Sequence, residues 1–295
     1  MISNSEKHLK DRNSRYFINS KHESFSTTLK GLTVIELCIT ELCTRACSFC
    51  PRGDSSVYKN QKLFMSKDTI TNIGISCKEA GFLGDFHISG FGESTTHPQF
   101  HEIVSILRSI LPDNRITLTT YGDLLPKSDN IRKLFDSGIS YVIVSCYDGP
   151  EAAKGFTDRF EEAGIDQFEI RKLWYTDSET VEDMMNRNNF NNRSGVVTIQ
   201  TSDNLNTNNP CYLPFYKLVI DWNGNILICC NDWHRKLKGL GNVNKSSIQA
   251  IWNSPEFTDI REKLAKGDRK SITPCNSCNI SGTLIGKDSV KALNL

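Results

Sequence analysis

The segment TVIELCITELCTRACSFC (residues 33–50) decides the fold, because a strand pattern runs directly into three closely spaced cysteines. Its first part, TVIELCIT (33–40), is rich in apolar and β-branched residues and predicts a strand. Its last part places Cys43, Cys47 and Cys50 at the spacing C-x3-C-x2-C. Three thiolates can hold three corners of a cubane iron–sulfur cluster and leave one iron without a protein ligand. The segment therefore predicts a metal centre at the end of a strand.

Zinc is the alternative metal for these thiolates. Zinc sites of the structural kind have four protein ligands, and Cys38 is the candidate for the fourth. Cys38 lies inside the strand pattern, however, so its side chain is expected in the face or core of the sheet. Cys77 and Cys146 are likewise predicted to be core residues, with a place in the barrel interior kept as the alternative for Cys146.

Downstream of the cysteines, short apolar stretches alternate with helical patterns. Strands are predicted at 86–89, 115–120, 141–146 and 168–173, with VVTIQ (196–200) as a candidate sixth. Helices are predicted from Ser66 to Gly81, around 103–110, over 129–137 and over 150–163. This alternation predicts an α/β fold, a partial (β/α)6 TIM-like barrel with a parallel sheet and right-handed crossovers. Chemistry in such barrels sits at the C-terminal ends of the strands.

The region from about residue 205 has a different pattern. KLVIDWNGNILICC (217–230) predicts two strands around an Asn223–Gly224 turn. One short helix is predicted at 247–252 and another from Ser254, before CNSC (275–278). A hairpin and two helices have too little core to stand alone, so a metal is expected to supply the missing stabilisation.

Composition limits the remaining functional classes. The 295 residues carry 35 Lys plus Arg against 34 Asp plus Glu, and a net charge of +1 gives no argument for nucleic-acid or membrane-surface binding. The polar N-terminus lacks a signal core, and no apolar run has the roughly 18–20 residues that span a bilayer. An odd count of eleven cysteines favours metal or thiol chemistry over a disulfide framework. We therefore expect a soluble, cytoplasmic protein.

CTRACSFC, with an aromatic Phe49 before its last cysteine, resembles the signature of the radical S-adenosylmethionine (SAM) enzymes. GFGE (90–93) resembles the Gly-Gly-Glu motif of that family but departs from it at Phe91, and TTYG (119–122) departs at Tyr121 from a Thr-Asn-Gly turn. The resemblance implies that SAM contacts five residues: Phe49, Gly92, Glu93, Ser145 and Arg171. In this family the carboxylate pairs with the methionine ammonium, and the glycine permits close approach of the backbone.

The resemblance implies one-electron chemistry in a radical SAM barrel. A [4Fe–4S] cluster on Cys43, Cys47 and Cys50 would reduce SAM to give a 5′-deoxyadenosyl radical, which abstracts a hydrogen from the substrate. The cofactor carries this step, and the protein orients the reactants. A low-potential electron donor such as flavodoxin or ferredoxin is the implied partner.

The later cysteines resemble, in order and spacing, the SPASM/Twitch extension of radical SAM enzymes. No cysteine follows Cys278, which indicates the shorter Twitch form with one auxiliary [4Fe–4S] cluster. The resemblance implies four ligands: Cys211, Cys229, Cys275 and Cys278. Cys230 is the alternative to Cys229, although adjacent strand residues point to opposite faces and only one should face the cluster. Zinc on four thiolates is the alternative metal.

Three regions follow from these patterns: a tail or cover at 1–30, the barrel at 31–203 and the auxiliary domain at 204–295. The spacing is closest to 2-deoxy-scyllo-inosamine dehydrogenase-like members, which implies oxidation of a small sugar or cyclitol-like substrate with the auxiliary cluster as electron acceptor. The alternatives are modification of a ribosomally made peptide or protein, and a non-catalytic zinc-stabilised binding protein. Arg193 is the candidate cation for substrate contact. The polar loop 176–195 is either a surface excursion or a cover over the barrel mouth.

Overall fold

The computed structural model describes residues 28–174, 180, 183, 191–197, 207–280 and 289–293. Seven strands form one sheet in this part of the chain: β1 (Val34–Leu37), β2 (Asp85–Ile88), β3 (Ile116–Thr120), β4 (Tyr141–Cys146), β5 (Phe168–Lys172), β6 (Lys217–Ile220) and β7 (Ile226–Leu227). Their order across the sheet is β5-β4-β3-β2-β1-β6-β7. All neighbours are parallel except β6 and β7, which form the antiparallel hairpin expected around Gly224.

Within the described part of the chain, the sixth parallel strand is β6 rather than the candidate at 196–200. Val196 and Val197 lie in a turn and a bend, and residues 198–200 are outside the described residues. Instead β6 pairs with β1, with Val34 opposite Lys217 and Leu37 opposite Ile220. The reason is that β6 is apolar and almost wholly buried, so the free edge of β1 is its best partner. The first strand of the auxiliary region therefore extends the barrel sheet.

Helices connect the strands and continue after the hairpin: α1 (Lys67–Glu79), α2 (Phe100–Ile110), α3 (Ser128–Asp136), α4 (Pro150–Ala163), α5 (Leu213–Tyr216), α6 (Ile248–Trp252) and α7 (Pro255–Ala265). Helix α1 begins where Ser66 Oγ accepts the Thr69 N–H at 3.1 Å, as a serine N-cap should. Helix α4 ends at Gly164, whose φ of +73° is left-handed. No helix among the described residues is long and apolar enough to cross a membrane.

The two faces of the sheet differ in polarity. Alternate strand residues such as Ile35, Leu37, Val142 and Val144 join the core beneath the helices, and Cys77 and Cys146 lie in the same core. The barrel-interior alternative for Cys146 is therefore wrong. Because side chains alternate along a strand, the intervening residues lie on the opposite face. They are largely polar: Glu36, His87, Thr117, Thr119, Ser145, Glu169, Arg171 and Lys217.

Candidate active site

The loop that carries Cys43, Cys47 and Cys50 follows β1 and lies at the C-terminal end of that strand. The three thiols are half-buried, and the Cys50 N–H donates to the Cys47 carbonyl oxygen at 3.0 Å. Burial, together with the neighbouring Cys50 and Cys43 thiols, raises the pKa of Cys47 to about 11. Thiols that interact in this way would be deprotonated together only by a shared cation or cluster.

Ion pairs fix the middle of this loop. Arg45 Nε donates to Asp123 Oδ2 at 2.9 Å, and its Nη1 donates to Asp148 Oδ1 at 3.0 Å. Asp123 follows β3 and Asp148 follows β4, so one arginine connects the cysteine loop to two other strand ends. The guanidinium also lies 4.8 Å from the centroid of the Tyr121 ring.

Tyr121 accounts for the departure from the Thr-Asn-Gly turn. Its hydroxyl oxygen accepts the Thr44 backbone N–H at 3.2 Å and forms a second hydrogen bond with the Thr44 hydroxyl. An asparagine side chain is shorter and carries no ring for Arg45 to cover. The tyrosine therefore adds a contact between the turn after β3 and the cysteine loop.

Glycine is required at position 92 because the backbone is crowded there. A Cβ atom on Gly92 would lie 2.6 Å from the carbonyl oxygens of both Thr40 and Leu42. The Glu93 N–H donates to the Leu42 carbonyl at 2.8 Å, which joins the turn to the chain just before Cys43. The GFGE turn and the cysteine loop are thus held together without an intervening side chain.

The Glu93 carboxylate is only 3% exposed and joins two turns. Its Oε1 accepts the Thr95 hydroxyl and the Thr120 hydroxyl, both at 2.7 Å, and its Oε2 accepts the Tyr121 N–H at 3.1 Å. Burial raises the pKa of Glu93, while these donors lower it. Oε2 retains one acceptor position. Its pairing with the methionine ammonium stays a prediction.

The other predicted SAM contacts lie at the ends of β4 and β5 and on the cysteine loop. The Phe49 ring lies 5.1 Å from the ring of Tyr147, which follows β4. Ser145 is buried and opposite Arg171 in the sheet, and Arg171 Nε lies 3.5 Å from Glu169 Oε1. Tyr147 was not predicted from the sequence; burial, together with the Cys47 thiol, raises its pKa to about 12. Its only sequence signal is its place two residues after Ser145.

The second cysteine set is deeply buried. Cys211, Cys229, Cys275 and Cys278 are 7%, 8%, 8% and 4% exposed. Burial raises the pKa of Cys229 well above its usual value, and the thiols of Cys230, Cys275, Cys278 and Cys211 raise it further. Cys230 instead interacts with Glu36, Lys217 and Arg193. The adjacent cysteines therefore face different surroundings, and Cys229 lies with the other three thiols.

Arg193 lies between the two cysteine sets. Its Nη1 is 3.4 Å from Asn231 Oδ1. Burial raises the pKa of Cys50 and of Cys230, and the charge of Arg193 offsets part of that rise in both. Ser194 follows in the left-handed region at φ +56°, and its carbonyl accepts the Ser277 hydroxyl at 2.8 Å. The turn is thus packed on the loop between Cys275 and Cys278, which brings its arginine toward the barrel interior.

An ion pair on the polar face of the sheet was not anticipated from the sequence. Lys217 Nζ on β6 lies 2.7 Å from Glu36 Oε2 on β1, and the Ser89 hydroxyl donates to Glu36 Oε1 at 2.9 Å. Burial lowers the pKa of Lys217, but Glu36 and Cys230 outweigh it and hold that pKa well above its usual value. The signal was the phase of β6, because Lys217 alternates with apolar residues that join the helix-side core.

Both donor sets consist of cysteine thiols, which suits iron–sulfur clusters. Among the described residues, no group of three His, Cys, Asp or Glu side chains is arranged to hold one ion. Both cysteine sets nevertheless interact electrostatically, which fits thiolates spread around a larger group. Thiolates are the usual ligands of [4Fe–4S] clusters, and a three-cysteine loop leaves one iron for another ligand.

Two family models match the chain. Residues 37–167 match the radical SAM superfamily, and residues 211–279 match SPASM, an iron–sulfur cluster-binding domain. The first match spans the predicted cluster loop, the GFGE turn and Ser145, and the second spans all four cysteines of the later set. No curated protein matches the chain.

Three solved structures show similarity to the fold. The structure of BtrN in complex with AdoMet and 2-DOIA has a TM-score of 0.68 and 24% identity, with 84% of this chain and 93% of that chain covered. BtrN in an open conformation has a TM-score of 0.61 and 20% identity, with 84% of this chain and 92% of that chain covered. Native anSMEcpe with bound AdoMet has a TM-score of 0.51 and 14% identity, with 84% of this chain and 88% of that chain covered.

Proposed function

We propose that this chain, which belongs to the radical SAM superfamily and carries a SPASM iron–sulfur cluster-binding domain, oxidises a small, polar, cyclitol-like substrate. It is an oxidoreductase-type enzyme whose cofactors are SAM and [4Fe–4S] clusters. BtrN, similar in fold, has been crystallised with AdoMet and 2-DOIA, which supports a substrate of the same class here.

The polar inner face of the sheet carries this proposal. Glu36, Lys217 and Arg193 place one carboxylate and two cations near Cys230, between the two cysteine sets. A ring with several hydroxyl or amino groups needs such donors and acceptors, since an unpaired polar group buried in a site costs about 1–3 kcal/mol. An apolar peptide side chain would offer these polar groups no hydrogen bond in exchange for the water it displaces.

Oxidation of a secondary alcohol removes a hydrogen atom, a proton and an electron from the substrate. When bound, SAM and the clusters supply the hydrogen-abstracting radical and the acceptor of the remaining electron. The chain supplies the rest: Arg193 and Lys217 orient the hydroxyl groups, and the Glu36–Lys217 pair takes up the hydroxyl proton. Cys43, Cys47 and Cys50 hold the first cluster, and the later four cysteines hold the auxiliary one.

The SAM contacts of the proposal are Phe49, Gly92, Glu93, Ser145 and Arg171. The proximity of the GFGE turn to the cysteine loop and of Ser145 to Arg171 supports this set. A low-potential carrier such as flavodoxin or ferredoxin delivers the first electron. None of the eleven cysteines is joined in a disulfide, which supports a cytoplasmic location, where thiols stay reduced.

Deuterium transfer tests the proposal. The anaerobically purified enzyme is incubated with SAM, a reductant and cyclitols or aminocyclitols deuterated at single carbinol positions. We expect deuterium in 5′-deoxyadenosine and a ketone product from one of them. Lys217→Met should abolish ketone formation, whereas Lys154→Met, at an exposed pair on helix α4, should not. Transfer from a labelled peptide instead of any cyclitol would contradict the substrate class.

A further inference from the structure

Phe91, which departs from the family's Gly-Gly pair, contacts the segment that follows Cys229 and Cys230. Its side chain is 2% exposed, and its ring centroid lies 5.0 Å from that of Trp233 in an edge-on arrangement. The guanidinium of Arg235 lies 4.1 Å from the centroid of the same ring. The turn that carries Gly92 and Glu93 is thereby packed against the loop just after Cys229.

Arg235 holds that loop in an unusual conformation. Its φ of +47° is left-handed, which a residue with a Cβ rarely adopts without compensating contacts. Its Nε donates to Asp221 Oδ2 at 2.9 Å and its Nη2 to Asp221 Oδ1 at 3.1 Å. The same guanidinium contacts the Glu41 carboxylate and the Tyr58 hydroxyl. One side chain thus joins the β6–β7 hairpin to the end of the β1 segment.

From Glu41 the contacts continue to the first cysteine loop. Arg52 Nη2 donates to Glu41 Oε2 at 2.8 Å, and Arg52 Nε donates to the Phe91 carbonyl at 2.5 Å. Arg52 Nη1 donates to Asn60 Oδ1 at 3.1 Å. That amide oxygen also accepts the Cys43 N–H at 2.9 Å. A continuous set of hydrogen bonds therefore runs from Arg235 to the backbone of Cys43.

We propose that Arg235 is a positioning residue that couples the loop behind the auxiliary cysteines to the SAM turn and to the first cysteine loop. Its contact with the ring fixes Phe91, and its contact with the carboxylate fixes Glu41 and, through it, Arg52. The SAM turn and the first cysteine loop therefore both depend on the Arg235 side chain. The proposal rests on the proposed function only in assigning SAM to the turn at Gly92 and Glu93. Phe91 and Arg235 act as one unit, since each supplies the other's packing surface.

Amide hydrogen exchange and SAM affinity, measured on the full chain with its clusters, test the coupling. Arg235→Lys should speed exchange about tenfold at residues 43–50 and 91–93 and weaken SAM binding about tenfold. Arg261→Lys is the matched control, because Arg261 is also buried but donates to the Pro214 and Trp252 carbonyls. It should speed exchange only around those carbonyls. Faster exchange confined to residues 221–237 with unchanged SAM affinity would overturn the proposal.

A second variant keeps the test decisive if Arg235→Lys does not fold. Phe91→Leu removes the ring and leaves every charge in place, and it should weaken SAM binding to a similar extent. The double variant should lose little more than either single one, because both remove the same contact. Fully additive losses would contradict the coupling. If the wild-type chain binds no SAM, the proposed function fails, while the exchange measurement still tests the coupling.

Discussion

The two cysteine sets differ in exposure and in how the chain holds them. Cys43, Cys47 and Cys50 are half-buried on one loop, which Arg45, Tyr121 and Arg52 secure to other strand ends. The later four thiols come from three separate segments and are all at most 8% exposed. An open site held by its surroundings suits a cluster that must admit another ligand, and a closed site suits one that only passes electrons.

The largest expected effect comes from removing the open set. Cys43→Ala, Cys47→Ala and Cys50→Ala together should abolish SAM cleavage and lower the iron content from about eight to about four per chain. Iron analysis and detection of 5′-deoxyadenosine check both results. Cys77→Ala, at a core cysteine, should change neither. Continued cleavage by the triple variant would show that another site holds the catalytic cluster.

Removing one ligand of the closed set should separate SAM cleavage from substrate oxidation. Cys229→Ala should lose the auxiliary cluster and substrate oxidation but keep SAM cleavage, because the first loop does not depend on that thiol. Cys230→Ala should keep both clusters, since the Cys230 thiol interacts with Glu36 and Lys217 rather than with Cys211, Cys275 and Cys278. Absorbance of the bound clusters and product analysis distinguish the variants. Loss of the auxiliary cluster from Cys230→Ala alone would reverse the ligand assignment.

A smaller effect is expected from loosening the open loop. Arg45→Met removes the pairs with Asp123 and Asp148, which are partly exposed and worth about 1 kcal/mol together. SAM cleavage should slow about fivefold. Arg132→Met, which removes an exposed pair with Asp129 on helix α3, should leave the rate unchanged. Equal rates for both variants would mean that the Arg45 contacts do not position the loop.

The smallest effect concerns the pH dependence of the free energy of unfolding, to which His97 contributes. His97 follows the turn that carries Glu93. Its Nε2 lies 2.9 Å from the Met65 carbonyl, and its Nδ1 accepts the Gln99 N–H, so the ring is held neutral. Burial lowers the pKa of His97 below its unfolded value of about 6.5. The unfolded chain therefore binds more protons, and the free energy of unfolding should fall as pH drops below that value.

Chemical denaturation between pH 5 and 7 measures this slope. His97→Gln should flatten it, because the variant has no ring to protonate in either state. His234→Gln, at an exposed side chain, is the control and should retain the wild-type slope. A slope that His97→Gln leaves unchanged would assign the pH dependence to other groups.

Local sequence patterns predicted most of the fold and the class of enzyme. The five parallel strands, the capped helices and the radical SAM and SPASM assignments are confirmed, because periodicity, caps and cysteine spacing are local signals. The place of β6 as the sixth parallel strand had no local signal, because its pairing with β1 joins residues that lie 183 positions apart in sequence, as Thr33 and Tyr216 do. The phase of β6 places Lys217 on the polar face, but no local signal identifies the partners in contacts such as Glu36–Lys217 and Phe91–Arg235. The individual SAM and substrate contacts stay predictions.

Electron paramagnetic resonance shows directly whether the first cluster has an iron that is free to bind SAM. The measurement uses reduced Cys229→Ala protein, in which the loop cluster alone contributes a signal. Addition of SAM should change the g-values of that signal, because the sulfonium compound would bind the iron without a cysteine ligand. A spectrum identical with and without SAM would show that SAM does not bind the first cluster.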